Sequence, residues 1–234
     1  MKFAIIAAGE GSRLQHEGVS LPKPLVPICG EAMIDRLIRI FRQNGATEIV
    51  IIVNTNPLTE QHILQLKQQG KADDIRMVVK STPSSMHSFA ELAPYLSDGP
   101  FCLTTVDTIF CEEEFSQYIN YFAHCQYDGC MAVTDYIDDE KPLYVATNEQ
   151  LHITGFHDID EGDRYISGGI YCLRPNALQT LATCLKEGKS RMRNFQRALV
   201  SDGLKLKAFP FTKILDVDHI EDIVKAENFL QQHS

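Results

Sequence analysis

Apolar residues occur in short, nearly continuous runs through the first half of the chain. The runs occupy residues 2–8, 48–54, 75–80 and 101–107. They are rich in β-branched side chains, which is typical of strands buried on both faces of a parallel sheet. Segments with apolar residues at helical spacing separate them, at residues 34–45, 58–70 and 85–96. This alternation of strand and helix predicts a parallel sheet with right-handed crossovers, and therefore an α/β fold.

The second half of the chain mixes element types. Residues 112–125 predict a helix whose apolar stripe belongs to the core, and residues 142–157 predict a hairpin. Residues 166–175 predict a strand, and residues 218–232 predict a closing helix with Asp218 ahead of an acidic first turn. Together, the two halves predict a single Rossmann-like, doubly wound domain with a mixed, mostly parallel sheet.

Composition narrows the class of protein. The 234 residues suit one domain with a large core, and no apolar run is long enough to span a bilayer, so we expect a soluble protein without a membrane partner. The net charge of −9 argues against a nucleic-acid partner, so any bound anion must be held by a few local cations. Seven cysteines without a CxxC pair predict reduced thiols and a cytoplasmic location.

The candidate chemistry begins directly after the first predicted strand, at residues 8–25, AGEGSRLQHEGVSLPKPL. A glycine loop at this place lets backbone N–H groups approach a phosphate. The stretch lacks the GxxxxGK[ST] pattern, and Leu14 stands where the dinucleotide fingerprint needs its third glycine. Prolines at positions 22, 24 and 27 argue against a regular helix soon after the loop. What remains is a loop with two cations, Arg13 and Lys23, which suits an extended anion such as a nucleoside triphosphate.

Two adjoining motifs carry a resemblance to a known family. The motif AAGEGSRL at residues 7–14 and the motif LPKPLVP at residues 21–27 resemble the signature of the sugar-phosphate nucleotidyltransferases. The resemblance continues through residues 104–110, 167–175 and 214–230, so it covers essentially the whole chain.

The resemblance implies both an activity and a fold. The implied reaction transfers a nucleoside monophosphate from an NTP to a phosphorylated acceptor, foremost a sugar 1-phosphate, and releases pyrophosphate with Mg²⁺ as cofactor. The implied fold is the compact, single-domain form of the family, glycosyltransferase-A-like, over residues 1–234. Residues 1–110 would then form the nucleotide-binding half and residues 111–234 the acceptor-binding half.

The resemblance also implies the residues of the site. The implied catalytic residues are Arg13, Lys23 and Asp107. The implied nucleotide contacts are Ala8, Gly9, Glu10, Gly11, Ser12, Arg13, Lys23 and Ser85. The implied acceptor contacts are Ser167, Gly168 and Gly169. A β-bulge is the alternative interpretation of this glycine pair. The implied metal ligands are Asp107, Asp216 and Asp218.

The chemistry of the three aspartates is consistent with a metal site. Asp107 ends a buried strand, at the edge where open α/β sheets bind ligands. Asp216 and Asp218 alternate along a predicted strand, so both carboxylates would face one side. Because Asp218 also precedes an acidic first turn, we expect it to cap the last helix and Asp216 to bind the metal.

The base and the acceptor are both left open by the sequence. Residues 81–92 lack the glycine with which many sugar-specific relatives read the base, and residues 156–159 replace a usual Glu-Lys-Pro contact. A cytidylyltransferase for a phosphorylated alcohol such as phosphocholine is therefore a second candidate. A regulatory protein that binds nucleotide without turnover is a third, although the intact catalytic residues argue against it. The sequence predicts no oligomeric state.

Overall fold

The computed structural model describes residues 1–138 and 141–232. The elements of the first half are β1 (Lys2–Ala7), α1 (Ser12–His16), β2 (Pro27–Ile28), β3 (Glu31–Ala32), α2 (Met33–Gln43), β4 (Glu48–Val53), α3 (Pro57–Gln68), β5 (Ile75–Val79), α4 (Ser85–Leu92), β6 (Phe101–Thr105) and β7 (Thr108–Phe110). Those of the second half are α5 (Glu112–His124), β8 (Gly129–Thr134), β9 (Tyr144–Thr147), β10 (Ile153–His157), β11 (Tyr165–Leu173), α6 (Ala177–Lys186), α7 (Met192–Ser201), β12 (Leu206–Phe211), β13 (Ile214–Asp216) and α8 (Ile220–Gln231). None of the helices in these ranges combines the length and the apolar character needed to cross a bilayer.

The central sheet is parallel on one side and antiparallel on the other. Strands β6, β1, β4 and β5 lie side by side and run parallel. Strand β11 runs antiparallel to β6 and continues the sheet to β9 and β10 on one branch, and to β8 and β12 on a second branch. The predicted α/β class with a mixed sheet is confirmed, and the carboxyl ends of the parallel strands meet at one edge.

Both faces of the sheet are covered by helices, which explains the continuous apolar runs. On β1, Phe3 and Ile5 point to one face and pack in a cluster with α2 and α5, where the ring of Phe3 lies 4.5 Å from that of Phe41. Ala4 and Ile6 point to the other face and pack in a cluster with α4, α6 and α7. The predicted apolar stripe of α5 is buried in the first of these clusters.

Two strands of the second half were not predicted from the sequence. Strand β8 follows an irregular polar stretch, and β12 contains Pro210, a residue that normally argues against a strand. Among the described strands β12 pairs with β8, and an isolated bridge joins its Lys207 to His152 on the other side. Pro210 lies beyond that bridge, at the edge of the sheet, where a missing N–H donor is tolerated.

A one-turn helix lies where the sequence argued against a helix. Helix α1 begins directly after Gly11, and Gly18 follows its end by two residues. The prolines take effect only further along the chain, where residues 23–25 form a single 3₁₀ turn. The expectation of no regular helix after the loop was therefore wrong for residues 12–16, although it holds for the proline-rich segment.

Candidate active site

A cavity of about 670 Å³ opens at the carboxyl edge of the parallel strands. Its walls include every predicted nucleotide contact: Ala8, Gly9, Glu10, Gly11, Ser12, Arg13, Lys23 and Ser85. The same cavity also contacts Asp107, in the turn between β6 and β7, and a group of small side chains around the start of α4. The loop after β1, the Pro-Lys-Pro segment and the α4 entrance therefore surround one space.

Gly11 brings the loop and the lysine into close contact. Its φ of +64° lies in the left-handed region that favours glycine. A Cβ added at Gly11 would lie 2.8 Å from the Cβ of Lys23, closer than two carbon atoms can pack. The loop can approach the Lys23 backbone this closely only because residue 11 has no side chain.

Lys23 lies between two carboxylates. Its side chain is 9% exposed, and its ammonium donates to Asp107 and, at 2.7 Å, to Oδ1 of Asp218. The guanidinium of Arg13 donates to the other oxygen of Asp218 at 2.6 Å. Burial alone would lower the pKa of the Lys23 ammonium, but the charges of Asp107 and Asp218 outweigh it, so the pKa lies above its usual value. Lys23 is therefore held as a cation.

A short antiparallel ladder brings the two carboxylates together. Strands β7 and β13 pair with Asp216 opposite Thr108. Beyond the ladder, the Val217 amide donates to the Asp107 carbonyl at 3.1 Å. This contact places the chain of residue 218 beside Asp107, although the two residues are far apart in sequence.

The acid pair fits a magnesium ion that also binds substrate phosphates. The Oδ1 atom of Asp107 is buried and has no hydrogen-bond partner in the described part of the chain, so one oxygen is available to a cation. Within residues 1–138 and 141–232, no three or more acidic, histidine or cysteine side chains form a metal cluster by themselves. Mg²⁺ is commonly held by one or two carboxylates together with phosphate oxygens and water. Asp107 and Asp218 would supply the two carboxylates, and phosphate oxygens and water would complete the set.

A second cavity of about 280 Å³ adjoins the first. Arg13 and Asp218 line both cavities and so mark their junction. Ser167, Gly168 and Asp216 line the second cavity. Asp216 therefore borders this second cavity and not the cavity of about 670 Å³.

The predicted acceptor residues lie at a bulge in β11. The pairing of β11 with β8 shifts register between Ser167 and Tyr171, so the alternative interpretation of the glycine pair is correct as local structure. A Cβ at Gly168 would lie 2.2 Å from the terminal methyl carbon of Ile214, so the Ile214 side chain would have to shift to admit it. Gly169 has a φ of +73° and does not line the second cavity.

Buried Gln196 holds the Ser167 side chain in place. The Ser167 hydroxyl donates to Oε1 of Gln196 at 2.8 Å. The amide of Gln196 in turn donates to the Tyr171 hydroxyl at 3.3 Å. Burial raises the pKa of Tyr171 well above its usual range, and the charge of Asp216 adds to that effect, so the tyrosine is a neutral partner.

The expectation that Asp218 caps the last helix was wrong. The carboxylate of Asp222 accepts the backbone N–H groups of Asp218, at 3.1 Å, and His219, at 2.8 Å. The carboxylate of Glu17 accepts the N–H of Ile220 at 2.7 Å. These two carboxylates cap the helix, and the Asp218 side chain is bonded to Lys23 and Arg13 instead.

Two cations of the second cavity had no signal in the sequence motifs. Lys141 and Lys225 both line this cavity. Lys225, on α8, contacts Asp138 at 3.0 Å and Asp222 at 3.3 Å. Only the packing of α8 beside β13 brings Lys225 to this place, so the spacing along the chain could not reveal it.

The fold is that of an α/β domain whose sheet presents a cluster of two cations and two carboxylates at its carboxyl edge. A model of the nucleotidyl transferase family matches residues 2–233, so the chain belongs to that family and the resemblance seen in the sequence is confirmed. Among curated relatives, mannose-1-phosphate guanyltransferase of Hypocrea jecorina is 27% identical over 190 residues, which are 77% of this chain and 51% of the relative. The enzyme of that name from Aspergillus fumigatus is 28% identical over 192 residues, with the same coverage. The chain spans about half the length of these relatives.

Solved structures share the fold at low sequence identity. A putative glucose-1-phosphate thymidylyltransferase from Bacillus anthracis, in complex with a sucrose, matches with a TM-score of 0.82 at 18% identity, over 98% of this chain and 94% of that one. A UDP-glucose pyrophosphorylase complexed with UDP-glucose matches with a TM-score of 0.81 at 17% identity, over 100% and 99% of the two chains. At such identity the likeness establishes the fold alone, and it confirms the predicted α/β nucleotidyltransferase architecture.

Proposed function

We propose that the protein transfers a nucleoside monophosphate from an NTP to a sugar 1-phosphate and releases pyrophosphate. The observation that carries the proposal is the junction of the two cavities, where Arg13 and Lys23 meet Asp107 and Asp218. Membership of the nucleotidyl transferase family supports it, and so do the names of the relatives, which act on mannose 1-phosphate. In this proposal the chain is one domain, with the nucleotide bound by residues 1–110 and the acceptor by residues 111–234.

The two cations of the site supply the positive charge that the proposed reaction requires. An acceptor phosphate is already an anionic nucleophile, so the difficulty is to bring two anions together. An oxygen of the acceptor phosphate attacks the α-phosphorus of the NTP and forms a new P–O bond. The bond from the α-phosphorus to the bridging oxygen breaks, and pyrophosphate leaves with that electron pair. Lys23 would neutralise charge at the α-phosphate and the acceptor phosphate, and Arg13 would hold the departing pyrophosphate.

Asp107 and Asp218 are the proposed metal ligands. Both carboxylates converge on the Lys23 ammonium, and Asp107 has a buried oxygen without a partner among the described residues. A bound Mg²⁺ would supply positive charge to the triphosphate. Asp216, which lines the second cavity, is better placed to contact the acceptor than the metal. Ser167 and Gly168, which line the same cavity, are the proposed acceptor contacts, and a cytoplasmic location is supported by seven free thiols.

A substrate panel tests the proposal. Each of the four NTPs is combined with mannose 1-phosphate, glucose 1-phosphate, inositol 1-phosphate and phosphocholine, and pyrophosphate release is followed with Mg²⁺ or with EDTA. We expect release with Mg²⁺ and a sugar 1-phosphate, and loss by orders of magnitude in Asp107→Asn, because asparagine lacks the charge that holds the metal. A denaturant midpoint close to that of the wild type shows that this variant is folded.

Other outcomes of the panel point to other functions. If pyrophosphate were released only with CTP and phosphocholine, the acceptor would be a phosphorylated alcohol and not a sugar 1-phosphate. Nucleotide binding without release for any acceptor would refute the enzymatic proposal in favour of a regulatory nucleotide-binding protein. Unchanged turnover in Asp107→Asn would refute the assignment of the site.

A further inference from the structure

Lys23 and Arg13 occupy three of the four oxygens of the Asp107–Asp218 pair, and only Oδ1 of Asp107 has no hydrogen-bond partner among the described residues. The Lys23 ammonium bonds to Oδ2 of Asp107 and Oδ1 of Asp218 at the same time. Arg13 takes the remaining oxygen of Asp218 at 2.6 Å. A divalent cation that bridges both carboxylates needs an oxygen of Asp218 as well as one of Asp107, and both oxygens of Asp218 are already bonded to Lys23 and Arg13. The lysine is therefore in direct competition with a metal for this pair.

The charges at the cluster disfavour a bare divalent cation. Two carboxylates face two cations, Lys23 and Arg13, so the cluster is neutral as it stands. A divalent cation added alone would give four positive charges against two negative charges in a partly buried place. A triphosphate brings several negative charges, and its oxygens are partners for both side chains. Metal and triphosphate together are therefore accommodated better than the metal alone.

The backbone around Lys23 is held in a turn, while its side chain borders the larger cavity. The Pro22 carbonyl accepts the Leu25 amide at 2.8 Å, and the Lys23 carbonyl accepts the Val26 amide at 3.1 Å, so the turn around Lys23 is held. The side chain borders the cavity of about 670 Å³ in which the nucleotide is proposed to bind. The Lys23 ammonium therefore borders the space in which the phosphates of a nucleotide would lie.

We infer that Lys23 blocks the Asp107–Asp218 pair against divalent metal, and that a bound triphosphate opens the pair by drawing the ammonium away. Metal and nucleotide then bind with positive coupling, and the lysine is the group that couples them. This inference rests on the proposed function for the identity of the anion. The block itself rests on the contacts of Lys23 with the two carboxylates.

Mn²⁺ binding without nucleotide tests the block. Protein-bound Mn²⁺ is measured from the loss of the spin-resonance signal of the free ion, for the wild type and for Lys23→Met. The methionine keeps the aliphatic stem and removes the charge, so we expect Mn²⁺ affinity to rise by roughly tenfold or more, within the usual range of coupling between sites. The double variant Lys23→Met/Asp218→Asn should lose this gain, because one carboxylate of the pair is gone.

Lys2 provides a matched control. It also bridges two carboxylates, Glu48 at 3.1 Å and Asp98 at 2.9 Å, at the opposite end of β1. The Asp98 side chain is 66% exposed, and Arg76 remains on Glu48, so Lys2→Met should leave Mn²⁺ affinity unchanged. An equal gain in Lys2→Met would show a general effect of freed carboxylates and would overturn the inference.

The remaining outcomes separate this inference from the proposed function. Equal Mn²⁺ affinity in the wild type and in folded Lys23→Met would overturn the block, whatever the transfer assay shows. If Lys23→Met does not fold, Lys23→Gln, which keeps polar hydrogens but no charge, is measured in its place against the same expectation. Failure of the substrate panel would refute the transfer reaction but leave the Mn²⁺ result readable, because no nucleotide enters that measurement.

Discussion

Replacing Gly11 with alanine would displace Lys23, because the added methyl group would press on the lysine from the glycine loop. Residue 11 would keep a φ of +64°, and the left-handed region costs an L-residue about 1–2 kcal/mol. The new methyl group would also lie 2.8 Å from the Cβ of Lys23. Carbon atoms pack at about 3.5–4.0 Å, so the lysine would have to retreat by roughly 0.7 Å or more. The substitution therefore combines a backbone cost with a displacement of the proposed catalytic cation.

Gly70 separates these two effects. Its φ is +66°, and a Cβ added there would meet no atom within 4 Å. Gly70→Ala should therefore show the backbone cost alone, about 1–2 kcal/mol. At this chain length each kcal/mol lowers Tm by about 2–4 °C. Gly11→Ala should lose at least as much stability, because the contact with Lys23 is added to the same backbone cost.

Turnover distinguishes the two variants most sharply. A misplacement of about 1 Å in a catalytic group can lower the rate by about 10²-fold, so kcat for pyrophosphate release should fall by roughly 10-fold to 100-fold in Gly11→Ala. It should stay unchanged in Gly70→Ala. The assays are pyrophosphate release at saturating substrates and urea unfolding monitored by circular dichroism. If Gly11→Ala kept wild-type kcat and matched Gly70→Ala in stability, the close approach of residue 11 to Lys23 would be of no consequence and this reasoning would be refuted.

Three further predictions concern the ligand pair, the core and one histidine. Asp218→Asn should abolish Mg²⁺-dependent pyrophosphate release while Asp216→Asn keeps its Mg²⁺ dependence; the reverse pattern in an Mg²⁺ titration would move the ligand to Asp216. Tyr118→Phe removes the buried hydroxyl that accepts the Cys172 amide at 2.8 Å, so the urea midpoint should report a loss of about 1–3 kcal/mol, and no loss would contradict the contact. The hydrogen bond to Asp35, on α2, raises the pKa of His62. The stability that this pair contributes is therefore complete below a pH of about 6.5 and is lost as pH rises through the raised pKa. His62→Gln should remove that part of the pH dependence of the urea midpoint, and an identical profile would refute it.

Local pattern was enough to predict the parallel half of the sheet. The runs that became β1, β4, β5 and β6 are continuous because helices cover both faces of those strands. Strand β8 is fully buried but contains one β-branched apolar residue and follows an irregular polar stretch, and Pro210 argued against β12. Strand pairing of this kind is decided between distant segments, so the sequence of one segment does not reveal it.

The sequence by itself determined the cations of the site and the loop that presents them. Gly11, Arg13 and Lys23 lie within one short stretch, and local backbone rules for glycine and proline are enough to predict an anion-binding loop there. Only the tertiary structure decided which aspartate meets Lys23. In sequence, Asp216 and Asp218 are nearly equivalent; in the fold, one lines the second cavity and the other contacts the ammonium at 2.7 Å. The choice depends on the pairing of β13 with β7 and on which side chains cap α8, and both are set by contacts between residues far apart along the chain.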